Sequence, residues 1–192
     1  MADYRIISSD NHIVEPPDLW SDRLPPELKD RGPQVRQTPD GPFWFVDGLP
    51  TFNIFAMGAQ AGKRLETPED LNQVELWQDV RPGAYIGEEA IKDMDIDGLD
   101  AGLVYPSLTI FLYPFVDDSQ LLTEIDQVYN DFAAEFCQAN PERLKGIAVI
   151  NIDDVQQGVN EIERCAKLGF TGVTIPEYMA AETYRSASYE SL

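Results

Sequence analysis

Basic residues, histidine, cysteine and long apolar runs are all scarce in this chain. It carries 14 Lys+Arg against 34 Asp+Glu, a formal net charge of −20. Nucleic-acid binding needs a surplus of cations on at least one face, and no Lys/Arg cluster occurs anywhere in the sequence, which excludes a nucleic-acid reader. A membrane-spanning helix needs about 18 consecutive apolar residues, and charges interrupt every apolar run. The opening Met1-Ala2-Asp3-Tyr4-Arg5 has neither the basic start nor the apolar stretch of a secretion signal, so the expected compartment is the cytoplasm. Cys137 and Cys165 stand far apart and outside any C-x-x-C pattern. They read as reduced thiols on helix faces, not as a zinc knuckle or a redox pair. Histidine occurs once, at His12.

What is present is the composition of a folded protein, 43% hydrophobic and 10% aromatic, with 14 prolines. The length suits one domain over residues 1–192. Tyr4 to Ser9 reads as a short buried strand that runs into the polar Asp10-Asn11-His12. From 15 to 80 the chain is Pro-rich and irregular, and within it Gln34–Thr38, Phe43–Val46 and Leu49–Ile54 form a small β-meander. Asp47-Gly48 marks one of its hairpins, because both central residues of a type I′ turn need positive φ.

Beyond residue 80 strands and helices alternate. A helix over Gly87–Asp97, capped by Gly98, precedes a buried strand at Ala101–Tyr105. Asp118 or Ser119 opens a long helix with Leu121, Leu122, Ile125, Val128, Tyr129, Phe132 and Phe136 on one face, ending before Pro141. Leu144–Ile150 is the third strand. Asp153 or Asp154 caps a helix with Val155, Val159, Ile162 and Ala166 turned inward, closed by Gly169, and Gly172–Ile175 is the fourth strand. Strict alternation implies parallel strands. A complete barrel takes about 250 residues and the excursion uses about 65 of these 192. The expected fold is therefore α/β, a partial (β/α)8 TIM barrel of about four βα units, with the meander excursion inserted after the first strand.

In parallel α/β folds the chemistry lies just past the carboxyl ends of strands. That rule nominates Asp10 and His12 after the first strand, Ser107 after the second, Asn151 after the third and Glu177 after the fourth. Asp10 and His12 are two apart, so in a continuing strand they point the same way and offer half of a divalent-metal site. Glu15 is a third candidate ligand or a pocket-lining group. A bare D-x-H triplet also describes an ordinary surface loop. Asp93-Met94-Asp95-Ile96-Asp97-Gly98 imitates the start of a calcium loop, but the twelfth position, where a bidentate Glu belongs, is Val104 inside a strand.

The run Ile7-Ser8-Ser9-Asp10-Asn11-His12-Ile13-Val14-Glu15-Pro16-Pro17-Asp18-Leu19-Trp20 resembles the opening of the amidohydrolase-related family, which includes aminocarboxymuconate semialdehyde decarboxylase and the metal-dependent aromatic acid decarboxylases. The likeness continues through Lys92–Asp100, Val104-Tyr105-Pro106, Asn130-Asp131-Phe132, Asn140–Gly146 and Leu168–Val173. It spans nearly all of this chain but only the amino-terminal half of the family's barrel. The resemblance implies that Asp10 and His12 ligate a catalytic divalent metal, zinc or manganese, whose remaining ligands, two histidines and an aspartate, come from later strands. With one histidine, these 192 residues do not complete that site.

The resemblance therefore implies a metal-dependent hydrolase or carboxy-lyase acting on a small molecule, with a carboxylated compound as one candidate, and inactive as this half alone. The alternative is a non-catalytic half-barrel or truncated product that acts only through assembly. A four-strand piece leaves two sheet edges open, so the chain is expected as a homo-oligomer or with a complementary second half.

Overall fold

The computed structural model describes residues 5–52, 66–67, 76–177 and 183–192. Tyr4 of the first predicted strand, Asn53 and Ile54 of the predicted meander, and most of 53–75 lie outside them. The described chain contains two sheets. Strands β1 (Ile7–Ile13), β5 (Ala101–Pro106), β6 (Leu144–Val149) and β7 (Gly172–Thr174) form a parallel sheet in the order β1-β5-β6-β7. Strands β2 (Gln34–Thr38), β3 (Gly41–Val46) and β4 (Leu49–Pro50) form the antiparallel meander. The helices are α1 (Leu19–Arg23), α2 (Gly87–Asp97), α3 (Ser119–Cys137) and α4 (Val155–Leu168).

Local chemistry sets these boundaries. The Asp118 carboxylate accepts from the N–H groups of Gln120 and Leu121 and starts α3, and Asp154 accepts from Gln157 N–H to start α4. Helix α4 ends at Gly169, whose φ of 97° is a left-handed conformation open to glycine at little cost. Asp47 (φ 48°) and Gly48 (φ 80°) form the tight turn joining β3 to β4.

The excursion is part of the core. Trp20 of α1 is fully buried and meets Trp44 of β3 edge to face, ring centroids 5.4 Å apart. Its indole N–H donates to the Ile125 carbonyl of α3 at 3.1 Å. Burial of each such ring contributes about 1.5–3 kcal/mol. Arg31 holds the Asp47 carboxylate with two hydrogen bonds and reaches Asp118 with a third at 2.7 Å, tying the meander turn to the start of α3. The Arg31 guanidinium accordingly keeps both carboxyls below their usual range.

Helix α3 is the central packing element, and all seven apolar residues on its predicted face are buried. Between α3 and the sheet, Asn130 replaces a missing ladder partner. Beyond Gly146 strand β6 no longer pairs with β5, and Asn130 donates to the Val149 carbonyl at 3.0 Å while accepting from the Val149 N–H at 2.9 Å. It also donates to Glu161 on α4 at 2.8 Å. Arg143 clamps the other end of the sheet, reaching Asp95 and the carbonyls of Leu99 and Asp100.

Two expectations need correction. The start of the predicted strand is not buried, for Ile6 just before β1 is 52% and Ile7 64% exposed, because among the described residues β1 has a neighbour on one side only. The strand also runs on through Asp10-Asn11-His12 to Ile13. In α4 the inward residues are Gly158, Glu161 and Cys165, while Val155, Val159 and Ile162 are half-buried and Ala166 is exposed. Gly158 lets the helix approach Ile150 and Ile152, where a Cβ would come within 3.0 Å of Ile152, and Asn130 and Arg164 draw Glu161 inward. Both cysteines are free, and burial pushes the Cys137 thiol up to about 11 and Cys165 up to about 12.

Asn130→Ala leaves buried backbone and carboxylate groups without partners and is expected to cost about 2–4 kcal/mol. Urea unfolding followed by circular dichroism measures it. A loss under 0.5 kcal/mol would show that water replaces the side chain at little cost.

Candidate metal centre

Because β1 continues as a strand, Asp10 and His12 project from one face and Asn11 and Ile13 from the other. The His12 ring is fixed from two sides. Its Nδ1 lies 2.7 Å from the Pro106 carbonyl at the end of β5, so Nδ1 carries the hydrogen and donates. Its face lies near the Tyr105 ring, the register partner of His12 on β5, at a centroid distance of 5.9 Å. Nε2 then lies 3.2 Å from Asp10 Oδ1.

The two atoms make a donor pair of one imidazole nitrogen and one carboxylate oxygen, at the carboxyl end of a parallel strand and open to solvent, with side-chain exposures of 36% and 79%. Such a pair suits zinc or manganese. An imidazole whose other N–H is committed to a backbone carbonyl is the usual arrangement for a metal ligand, since it fixes the tautomer and aims the free nitrogen. The fit is to half a site. Among the described residues no group of three His, Cys, Asp or Glu side chains is placed to hold a metal ion.

The other nominated residues are placed differently. Glu15 is 1% exposed and turns away from Asp10. Its carboxylate accepts from the N–H groups of Leu108 and Thr109, each at 3.0 Å, and from the Thr109 hydroxyl at 2.9 Å. It fastens the end of β1 to the loop after β5. Burial raises its pKa against the opposing pull of these hydrogen bonds. Ser107 is buried at the start of the same loop, and Glu177 is exposed beyond β7. Asn151 donates to Ser119 and Thr123 of α3 and accepts from Asp153 N–H. Asp93 is paired with Arg81 and Asp95 with Arg143, so the calcium-like run is a helix with paired carboxylates.

Two cavities adjoin these residues. The larger, about 280 Å³, is lined by Asp10, Asn11, His12 and Ile13 together with core residues such as Met94 and Phe136. It lies between the parallel sheet and its helices, since Val104 of β5, Leu144 of β6, Ala90 of α2 and Phe136 of α3 also line it. The smaller lies between α3 and the ends of β6 and β7, and Asn151 and Asp126 line it. Asp126 is 3% exposed, its Oδ1 has no hydrogen-bond partner, and burial beside Glu161 and Asp153 pushes its carboxyl well above the usual range. Neither the Glu15 clamp nor this buried acid was legible in the sequence, where both are isolated carboxylates.

No family model matches the chain. Over its whole length it superposes on an amidohydrolase of Mycobacterium avium subsp. paratuberculosis K-10 with a TM-score of 0.78 and 16% identity, covering 55% of that chain. The fold is that of part of a (β/α)8 barrel. A 5-carboxyvanillate decarboxylase of Novosphingobium aromaticivorans, solved with manganese, superposes at a TM-score of 0.56 and 17% identity over 98% of this chain and 47% of its own. In sequence, 91 residues are 31% identical to gamma-resorcylate decarboxylase of Polaromonas sp. (strain JS666 / ATCC BAA-500), covering 47% of this chain and 27% of that enzyme. The chain thus spans about half the length of the solved relatives. The structural relatives are thus an amidohydrolase and a decarboxylase solved with manganese, in line with the resemblance of the opening motif.

Two substitutions separate structural from ligand roles. Glu15→Ala is expected to destabilise the fold by about 2–4 kcal/mol, because buried N–H donors lose their acceptor, while leaving zinc affinity unchanged. Calorimetric titration showing a tenfold weaker affinity in a folded Glu15→Ala chain would make Glu15 a ligand. At Asp126 the folded state holds its proton more tightly than the unfolded state, so stability falls as pH rises above the ordinary aspartate range toward the raised folded value. Asp126→Asn is expected to be the more stable protein at pH 8, by about 1–3 kcal/mol, with the difference vanishing near pH 3. Parallel melting curves that never converge on acidification would refute this.

Proposed function

We propose that this chain supplies the first-strand ligands and half of the barrel of a divalent-metal-dependent decarboxylase or hydrolase, with a small carboxylated aromatic acid as its substrate class. The observation that carries this reading is the aimed pair, Asp10 Oδ1 and His12 Nε2, with Nδ1 anchored on the Pro106 carbonyl. A metal bound there supplies either an activated water or a seat for a substrate carboxylate and its neighbouring oxygen. Decarboxylation is favoured over hydrolysis by the names of the relatives, which act on resorcylate and carboxyvanillate. The lining of the larger cavity does not supply a free cation for a carboxylate, since its arginine, Arg81, is engaged by Asp93. Carboxylate attraction in the whole site therefore falls to the metal and to residues outside this chain. No helix among the described residues is long and apolar enough to cross a membrane, and we read the compartment as cytoplasmic.

A second reading, a non-catalytic half-barrel acting through assembly, is favoured by the lack of a third ligand among the described residues. The two readings separate on metal content. The purified chain is expected to retain less than one zinc or manganese per chain after gel filtration, and to lose that in His12→Ala. It is expected to show no turnover above background on 2,6-dihydroxybenzoate or 5-carboxyvanillate, because the missing groups act as a unit with those present. One tightly held metal per chain, or turnover abolished by His12→Ala, would contradict this. Metal content unaffected by His12→Ala would favour the second reading.

A further inference from the structure

We propose that the smaller cavity is a monovalent-cation site, which takes an ion of potassium or ammonium size against the Asp126 carboxylate. The proposal is independent of the Asp10–His12 reading.

The cavity, about 20 Å³, lies between α3, the loop after β5 and the ends of β6 and β7. That is room for one body the size of a water molecule. Asp126 of α3 lines it at 3% exposure, and among the described residues its Oδ1 has no hydrogen-bond partner. A buried polar atom in that state is costly unless something occupies the space beside it.

The walls restrict what that occupant can be. Four other polar side chains line the cavity, those of Thr109, Tyr113, Asn151 and Thr174. Each spends its hydrogens elsewhere. The Thr109 hydroxyl donates to Glu15, the Tyr113 hydroxyl to Asp153, and the Thr174 hydroxyl to the Ala148 carbonyl. The Asn151 amide donates to Ser119 and Thr123. What the threonine oxygens and Asp126 keep for the cavity is lone pairs, so an occupant must bring hydrogens or positive charge.

Charge selects a cation over water. Glu161 on α4 and Asp153 after β6 both act on Asp126 with the same sign of charge. No Lys or Arg lines the cavity, and Arg164 is engaged by Glu161 and Asp131. One carboxylate balances one positive charge, and magnesium, which keeps several of its waters, does not fit a space of this size. Entry of the ion is an exchange. Burial beside Glu161 and Asp153 favours the protonated acid, so binding breaks the Asp126 O–H bond, releases the proton to solvent and leaves the carboxylate on the ion. Low pH therefore opposes binding. Thr109 also belongs to the Glu15 clamp, so an ion here joins the loop after β5 to α3 and to the ends of β6 and β7.

The test is thermal unfolding at equal ionic strength in choline, sodium, potassium and ammonium chloride, with a chelator present to remove divalent ions. Choline is too large for the cavity, and it screens the net charge of −20 without entering. At pH 8 potassium or ammonium is expected to raise Tm by about 3–6 °C over choline, the shift that an about tenfold excess over the dissociation constant produces. Sodium is expected to do less, and the response to vanish near pH 4. Asp126→Asn, which keeps the shape without the charge, is expected to abolish the response. Thr174→Val, which removes one wall oxygen, is expected to demand about threefold more potassium or greater, and it keeps the test open if Asp126→Asn impairs folding. Crystals of the unsubstituted chain soaked in rubidium chloride are expected to show anomalous scattering beside Asp126 Oδ1. Equal Tm in all four salts would overturn the proposal and leave the cavity to a water molecule. A cation response undiminished in Asp126→Asn would also overturn it, by placing the ion elsewhere.

Discussion

Among the described residues β1, which carries the candidate ligands, has a hydrogen-bonded neighbour on one side, which leaves its other edge without ladder partners. That constraint organises much of what is unusual here. It accounts for the exposed Ile6 and Ile7 and for the solvent access of Asp10 and His12. A strand held from one side would fray at its carboxyl end unless something else fixed it there. The Glu15 carboxylate does so, fully buried and bound to the backbone of Leu108 and Thr109 just past β5. The His12 ring, hydrogen-bonded to Pro106, is the second fastening between the same two strand ends. Positioning of the ligand pair and retention of the edge strand are therefore one structural task.

The rest of the sheet relies on polar side chains used in the same manner. Asn130 stands in for a ladder partner where β5 and β6 diverge, and its contact with Glu161 carries that restraint to α4. Arg164 completes the group by binding Glu161 and Asp131, and with Asn130 it holds the Glu161 carboxyl below its usual range despite burial. Arg143 performs the matching service at the amino-terminal end of the strands. Asn130, Asp131 and Arg143 lie in segments that carry the family resemblance, Asn130-Asp131-Phe132 and Asn140–Gly146. In these two segments the resemblance marks residues that hold the sheet and its helices together.

What was legible in the sequence is what local chemistry determines. Asp118, Asp154, Gly98 and Gly169 announce helix ends through caps that need no tertiary partner, and Asp47-Gly48 announces its turn through backbone sterics. The Asp10–His12 pair was legible because a period of two puts both on one face of a strand. Illegible were the features decided by neighbours distant in sequence. The inward roll of α4 follows from the close approach at Gly158 and from the pull of Asn130 and Arg164 on Glu161, which outweigh the apolar stripe at Val155, Val159, Ile162 and Ala166. The commitment of Glu15 to residues 93 and 94 positions away has no local signature.

The central claim is that Asp10 and His12 form a pre-aimed half of a metal site. Because the chain has one histidine, a long-range nitrogen–proton NMR spectrum contains one imidazole and reads its state directly. The account predicts a ring that carries a proton at Nδ1, and a shift confined to Nε2 when zinc is added, lost in Asp10→Ala. A ring protonated at Nε2 alone, or a spectrum that zinc leaves unchanged at millimolar concentration, would contradict it.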